Sequence, residues 1–230
     1  MQLFYAPDAL DNNVLDQINS QHCIKVLRKK AGDLVDLVDG KGNFFHVKLM
    51  NEHPKKCEFS ILNQYRDVPR KRRTHIAMAP TKNNNRTEWF VEKAIEIGVD
   101  EISFIQTTNS ERKYFSLDRI EKIAISAMKQ SLKATLPTLN SLVDFETFLA
   151  EQQNSTANKF VAHLRDDSTP LSKHLNSTNS LVIVGPEGDF SVEEIERATQ
   201  NKFQLVSLGS SRLRTETAAV VACTLLNIDG

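Results

Sequence analysis

From residue 74 onward, short apolar runs alternate with segments of helical periodicity, and this alternation limits the possible folds more than any other feature. The runs lie at 74–79 (THIAMA), 101–105 (EISFI), 159–163 (KFVAH), 180–184 (SLVIV) and 204–208 (QLVSL). Apolar runs this short, without strict alternation, fit strands buried on both faces. Between them the spacing predicts helices. One spans 87–97, with Phe90, Ala94 and Ile97 on one face and Gly98 where a left-handed residue ends a helix. A second opens at a Ser116 cap and runs to about 134, with Ile120, Ile123, Ala127 and Leu132 as its stripe and Pro137 ending it. Ser191 and Glu194 have the spacing of a capping box and open a third, to about 201. The last covers 215–227, and its middle, 218–223, is almost wholly apolar. Strands alternating with helices imply an α/β domain over 74–230, built on a parallel sheet with helices on both faces.

Residues 1–70 read differently. Apolar strands at 33–38, 44–50 and 57–62 surround a turn at 39–43 (DGKGN), rich in residues that tolerate positive φ. One short helix includes 22–28. A small β-barrel or sheet is expected here. The segment 66–73 (RDVPRKRR) is charged, holds Pro69 and lacks apolar periodicity, so it reads as an exposed linker, with nucleic-acid contact as the second reading.

Composition excludes several classes. The formal net charge is +0, but residues 1–75 hold 13 Lys and Arg against 9 Asp and Glu, leaving 16 against 20 in the rest. A mildly basic front is compatible with phosphate contacts and equally with a solvated surface. Cys23, Cys57 and Cys223 are odd in number and far apart in sequence, which argues against a disulfide framework or zinc site and fits a reducing cytoplasm. No signal peptide is read at the start, and no stretch approaches the roughly 18 apolar residues of a membrane span. The glycine-rich phosphate loops, the nucleophile elbow and the His-Glu-x-x-His helix are missing from the sequence. The six histidines show no ligand spacing, so no metal is expected.

Three stretches follow strands of the α/β region, where open parallel sheets place ligand crevices. They are His163-Leu164-Arg165, Gly185-Pro186-Glu187-Gly188, and the run from Leu208-Gly209 through Ser210, Ser211, Arg212, Leu213, Arg214, Thr215, Glu216, Thr217 and Ala218. Taken alone, 185–188 reads first as a strand-to-helix turn. Charged groups abutting an apolar helix need a reason. Thr215 as a cap and Glu216 as an acid at a positive helix end stand level with a catalytic reading.

Taken together, these stretches resemble the RsmE family of 16S ribosomal RNA (uracil-N3) methyltransferases in the SPOUT superfamily. The likeness runs through His22-Cys23-Ile24-Lys25-Val26-Leu27-Arg28, Gly32-Asp33 and Asp39-Gly40. It continues with Lys82, Arg86, Glu88, Lys93, the run 94–99 (AIEIGV), Ser110-Glu111-Arg112, Gln130-Ser131 and Pro137, and then the last two stretches above. It implies a PUA-like front domain (1–70), a SPOUT domain (74–230) with a C-terminal trefoil knot, and a homodimer. No periodicity could show a knot, since threaded chains are rare. It implies S-adenosylmethionine as cofactor, held by Leu164, Gly185, Pro186, Glu187, Gly188, Leu208, Gly209, Leu213, Thr217 and Ala218. The implied target is a uridine of small-subunit RNA. Lys25, Arg28, Lys29, Lys30, Arg86, Arg112 and Lys133 are the candidate RNA contacts, with 70–73 as further candidate phosphate contacts. This chain departs from the family pattern at Asp189 (usually glycine), Ser210-Ser211 (usually Pro-Arg), Lys129 (usually Glu) and Lys133 (usually Arg). Arg214 and Glu216, beside the cofactor loop, are the candidate catalytic residues. Arg214 would stabilise the developing uracil anion, and Glu216 would orient the base or help remove its proton. Ribose methylation of transfer RNA and a non-catalytic RNA-binding module are the competing readings.

Overall fold

A computed structural model describes residues 3–68, 70–164, 168–174 and 179–228. Pro69 and Arg165 lie outside these described residues. The chain divides into two compact units: 1–69 with 125–136, and 70–124 with 137–230.

The first unit carries a mixed sheet in the order β1-β2-β3-β4: Leu3–Tyr5, Leu34–Val38, Asn43–Leu49 and Phe59–Arg66. β1 runs parallel to β2, and the remaining pairs are antiparallel. The expected turn at 39–43 forms because Asp39 Oδ1 accepts the N–H groups of Lys41 (2.7 Å) and Asn43 (3.0 Å). Residues from the 125–136 segment close on this turn, with Leu136 N–H donating to Gly40 O at 2.8 Å. The helix expected at 22–28 begins earlier. Asp16 caps α1 (Gln17–Gln21), which widens into a π turn at His22–Val26. The polar Asn19 and Ser20 hid this start from an apolar-spacing argument, yet both are buried, donating to Tyr5 O and Leu15 O. Cys23 and Cys57 are buried together in the core beside Phe4, Leu37 and Phe45. Burial first, then the neighbouring Cys57, pushes the Cys23 thiol up to about 11, so it stays an inert thiol.

The second unit holds seven parallel strands in the order β7-β6-β5-β10-β8-β11-β9. They are β5 (Arg73–Met78), β6 (Glu101–Gln106), β7 (Thr138–Asp144), β8 (Asn158–Ala162), β9 (Thr169–Pro170), β10 (Asn179–Val184) and β11 (Gln204–Ser207). Helices α2 (Asn84–Ile97), α3 (Leu117–Gln130), α4 (Phe145–Glu151), α5 (Val192–Gln200) and α6 (Thr215–Asn227) connect or follow them. Ile76, Ala77, Met78, Val182 and Ile183 are fully buried, as strands covered on both faces require. Gly98 ends α2 with φ of 119°, as its position predicted. The capping box at Ser191 and Glu194 is present. α6 packs on α2, β5 and β10.

Three expectations need correction. β7, α4 and β9 were not foreseen; β7 lacks a clear buried run, and α4 is one short helix opened by an Asp144 cap. α3 stops at Gln130 rather than near 134, because Leu132 adopts φ of 54° and Lys133 N–H turns back to Met128 O. Leu132 is therefore exposed, and the buried stripe is Ile120, Ala124, Ala127 and Met128.

His75 of β5 sits in a polar row across the sheet, 2.8 Å from Ser103 Oγ and 3.9 Å from Glu101. Its side chain is 12% exposed. Burial lowers its pKa to about 4 against a smaller upward pull from Glu101. The unfolded chain therefore takes up this proton first. Stability is expected to be unaffected by His75 above about pH 6.5 and to fall as pH drops toward 4, by about 3 kcal/mol at most. Denaturation midpoints between pH 7 and 4 should drop less steeply in His75→Gln than in the parent; identical slopes would refute this.

Candidate active-site cavity

The C-terminal ends of β8, β10 and β11 lie side by side, and the loops that leave them enclose a cavity of about 370 Å³. After β8 come His163 and Leu164, and after β10 come Gly185, Pro186, Glu187 and Asp189. The loop after β11 supplies Leu208, Gly209, Ser211, Arg212, Leu213 and Arg214, and α6 adds Thr215 and Ala218. Parallel strands explain the convergence, because each delivers its following loop to the same edge.

Most residues singled out from the sequence therefore meet: Leu164, Gly185, Pro186, Glu187, Leu208, Gly209, Leu213, Arg214 and Ala218 all line the cavity. Gly188, Thr217 and Glu216 are not among its lining residues. A Cβ on Gly188 would come within 3.0 Å of Asn109 Cβ, so this glycine serves a close approach of two loops. His163, Ser211, Arg212 and Thr215, which belong to the marked stretches but were not named individually for the cofactor, line the cavity together with Asp189. Their adjacency to the marked residues was the available signal. Asp189 adopts φ of 61°, and its Oδ1 accepts the Phe190 N–H at 2.8 Å and lies 3.1 Å from His163 Nδ1.

Charge is arranged unevenly. Arg214 is the N-cap residue of α6 and is exposed. Glu216 is buried, with Oε1 3.7 Å from Arg86 Nε. Its Oε2 makes no hydrogen bond among the described residues. A buried acceptor left so costs about 1–3 kcal/mol, which makes the position noteworthy.

The basic residues fall into two groups. Lys25, Arg28, Lys29 and Lys30 cluster at the end of the π turn in the first unit, and Lys133 also belongs to that unit. Lys25, Arg28 and Lys30 are exposed. Arg86 and Arg112 belong to the second unit and are engaged internally: Arg86 with Glu216, and Arg112 with the carbonyls of Thr81 and Lys82. Arg70 pairs with Asp100 at 2.8 Å and also reaches Gly98 O and Asn227, and Arg73 lies 3.6 Å from Glu101. Sequence reveals such charges but not the partners that occupy them.

Gly185 leaves no room for a side chain in the cavity wall. A Cβ there would approach the Phe190 ring to 2.9 Å, and Phe190 is packed against Phe145 in the core. Gly185→Ala is expected to destabilise the protein by about 1–3 kcal/mol, seen as a lower denaturation midpoint. An unchanged midpoint would show that Phe190 yields freely.

The family described as an RNA methyltransferase domain matches residues 68–227, and one described as an RNA methyltransferase PUA domain matches 16–62. The chain is 41% identical to a solved structure described as a probable rRNA-methyltransferase from Porphyromonas gingivalis, covering 99% of both chains with a TM-score of 0.93. A methyltransferase from Legionella pneumophila, solved in complex with S-adenosylmethionine, is 25% identical with a TM-score of 0.86 over 99% of this chain and 97% of that one. The ribosomal RNA small subunit methyltransferase E of Mesomycoplasma hyopneumoniae is 28% identical over 97% of this chain and 98% of its own. By domain match and near full-length similarity, this chain belongs to the RNA methyltransferase family that includes the ribosomal RNA small subunit methyltransferases E.

Proposed function

We propose that this protein uses S-adenosylmethionine to methylate N3 of a uridine in 16S ribosomal RNA of the small subunit. The observation that carries this reading is the cavity at the ends of β8, β10 and β11 in a chain of this family. Its volume falls within the roughly 300–1,000 Å³ of small-molecule sites. Leu164, Val184, Leu208, Leu213 and Ala218 offer apolar surface to an adenine ring, and the carboxylates of Glu187 and Asp189 suit a cationic ligand. The residues present therefore fit the donor. When bound, the donor supplies a methyl group activated on a sulfonium.

The chain's own residues have three tasks. They must hold the target base unpaired, favour loss of its N3 proton, and align the nitrogen with the methyl group. Arg214 projects from the N-cap of α6 at the cavity, where its guanidinium would offset the negative charge that grows on the uracil. Glu216 follows two residues later, buried against Arg86, with one carboxylate oxygen lacking a hydrogen bond among the described residues. The free oxygen is what supports a role in orienting the base or accepting its proton, although Glu216 does not line the cavity among the described residues.

The first unit, spanning the expected 1–70 domain, is read as a PUA-like RNA-binding module whose basic turn at Lys25, Arg28, Lys29 and Lys30 faces phosphates. The 74–230 region is read as a SPOUT domain. Support for a C-terminal knot comes from the chain path, since β11 lies beyond β8 while α6 returns to pack on β5 and α2. The active species is read as a cytoplasmic homodimer. No described helix is long and apolar enough to cross a membrane, and no cluster of metal-binding side chains occurs among the described residues.

Incubation with small-subunit RNA and the methyl donor, followed by mapping of the modified atom, tests the reaction. Methyl on uracil N3 is expected; methyl on a ribose oxygen, or none, overturns it. Arg214→Ala should lower kcat about 100- to 1,000-fold with donor affinity little changed. RNA affinity should fall steeply with added salt, and a flat response would remove the phosphate role of the basic turn.

A further inference from the structure

We infer that Asn109 is a positioning residue for the methyl donor, holding the outer side of the 186–189 turn that walls the cavity. The inference rests on the donor reading above. The Asn109 side-chain amide donates to two successive backbone carbonyls, Gly188 O at 3.1 Å and Asp189 O at 3.0 Å. The turn it grips is tight. Asp189 N–H closes back on Pro186 O at 3.0 Å, and Asp189 stands at φ of 61°, a region that L side chains seldom adopt. Such a conformation persists only where neighbours hold it.

The loop that carries Asn109 is itself anchored. Thr107 N–H donates to Ser110 Oγ at 2.9 Å. Thr108 donates through its N–H (2.7 Å) and hydroxyl (3.1 Å) to Glu194 Oε1. Glu194 is buried, and its other oxygen accepts the Ser191 N–H at 2.8 Å in the capping box of α5. The 186–189 turn thus lies between two fixed points, Asn109 on one side and the start of α5 on the other. A second neighbouring loop adds Lys82 N–H, which donates to Glu187 Oε1 at 3.2 Å. Glu187 and Asp189 line the cavity, whereas Asn109 is not among its lining residues, so its influence passes through the backbone it holds. Gly188 permits the arrangement, since any Cβ there would press on Asn109.

The test compares the full-length protein with Asn109→Ala and with Asn109→Asp, which keeps the size but removes the donor. Three quantities are read: the Kd for S-adenosylmethionine by calorimetry, the KM values for donor and RNA, and amide exchange at Asp189 and Phe190. Both variants should weaken donor binding about three- to tenfold, as expected for two exposed hydrogen bonds. The KM for donor should rise with it, while the KM for RNA stays unchanged and the two amides exchange faster. Donor affinity within twofold of the parent in both variants overturns the inference, as does an equal loss of donor and RNA binding, which marks general disruption. If the parent itself takes up no donor, the donor reading fails, and unchanged exchange at the two amides would separately show that Asn109 does not hold the turn.

Discussion

The structure depends on the parallel ladder that sets β10 between β5 and β8, with β11 beyond. Each strand in such a ladder ends at the same edge, so loops distant in sequence are delivered to one place. Register is held by burial on both faces. Val182 and Ile183 point to opposite sides of the sheet, and both are fully buried. A slip of one residue would exchange the two sets of side chains between packed faces, which neither layer could absorb. The cavity is therefore a consequence of strand pairing before it is a property of any loop.

Residues near that edge break local rules, and most of the breaches have a structural support. Gly185 admits the Phe190 ring where a side chain would collide. Asp189 takes a left-handed conformation and satisfies its carboxylate on the Phe190 amide and His163. Glu194 caps α5 while holding the loop after β6. Glu216 keeps an oxygen without a hydrogen-bond partner among the described residues, inside a helix otherwise rich in small apolar residues. Conflicts between local preference and global fold concentrate at functional sites, and here they gather around one cavity.

The polar groups divide by task in a way that charge counts do not reveal. Arg70 and Arg73 belong to a basic run that reads as an exposed linker, yet both take carboxylate partners within the second unit. Arg112 spends its guanidinium on two backbone carbonyls. Lys25, Arg28 and Lys30 remain exposed on a turn whose backbone is fixed by Asp16 at one end and Asp33 at the other. A guanidinium already held by several acceptors is a poor phosphate ligand, so the exposed cluster is the better electrostatic surface.

The sequence alone determined the elements whose signals are local. Apolar runs marked β5, β6, β8, β10 and β11, the Ser191–Glu194 spacing marked the start of α5, and Gly98 marked the end of α2. Motif order marked the loops that form the cavity, because glycine lets backbone approach closely and proline stiffens a loop wherever they occur. Tertiary structure decided the rest. β7 and α4 draw their stability from neighbours rather than from a clear pattern of their own, and Leu132 turns out of α3 because the chain must leave the helix there. Pairing β8 with both β10 and β11 brought Glu187, Asp189 and Arg214 to one cavity, and packing α6 on α2 set Glu216 against Arg86. These meetings join residues more than twenty positions apart, and no local preference encodes them. They follow from which strands share hydrogen bonds and which faces must be covered.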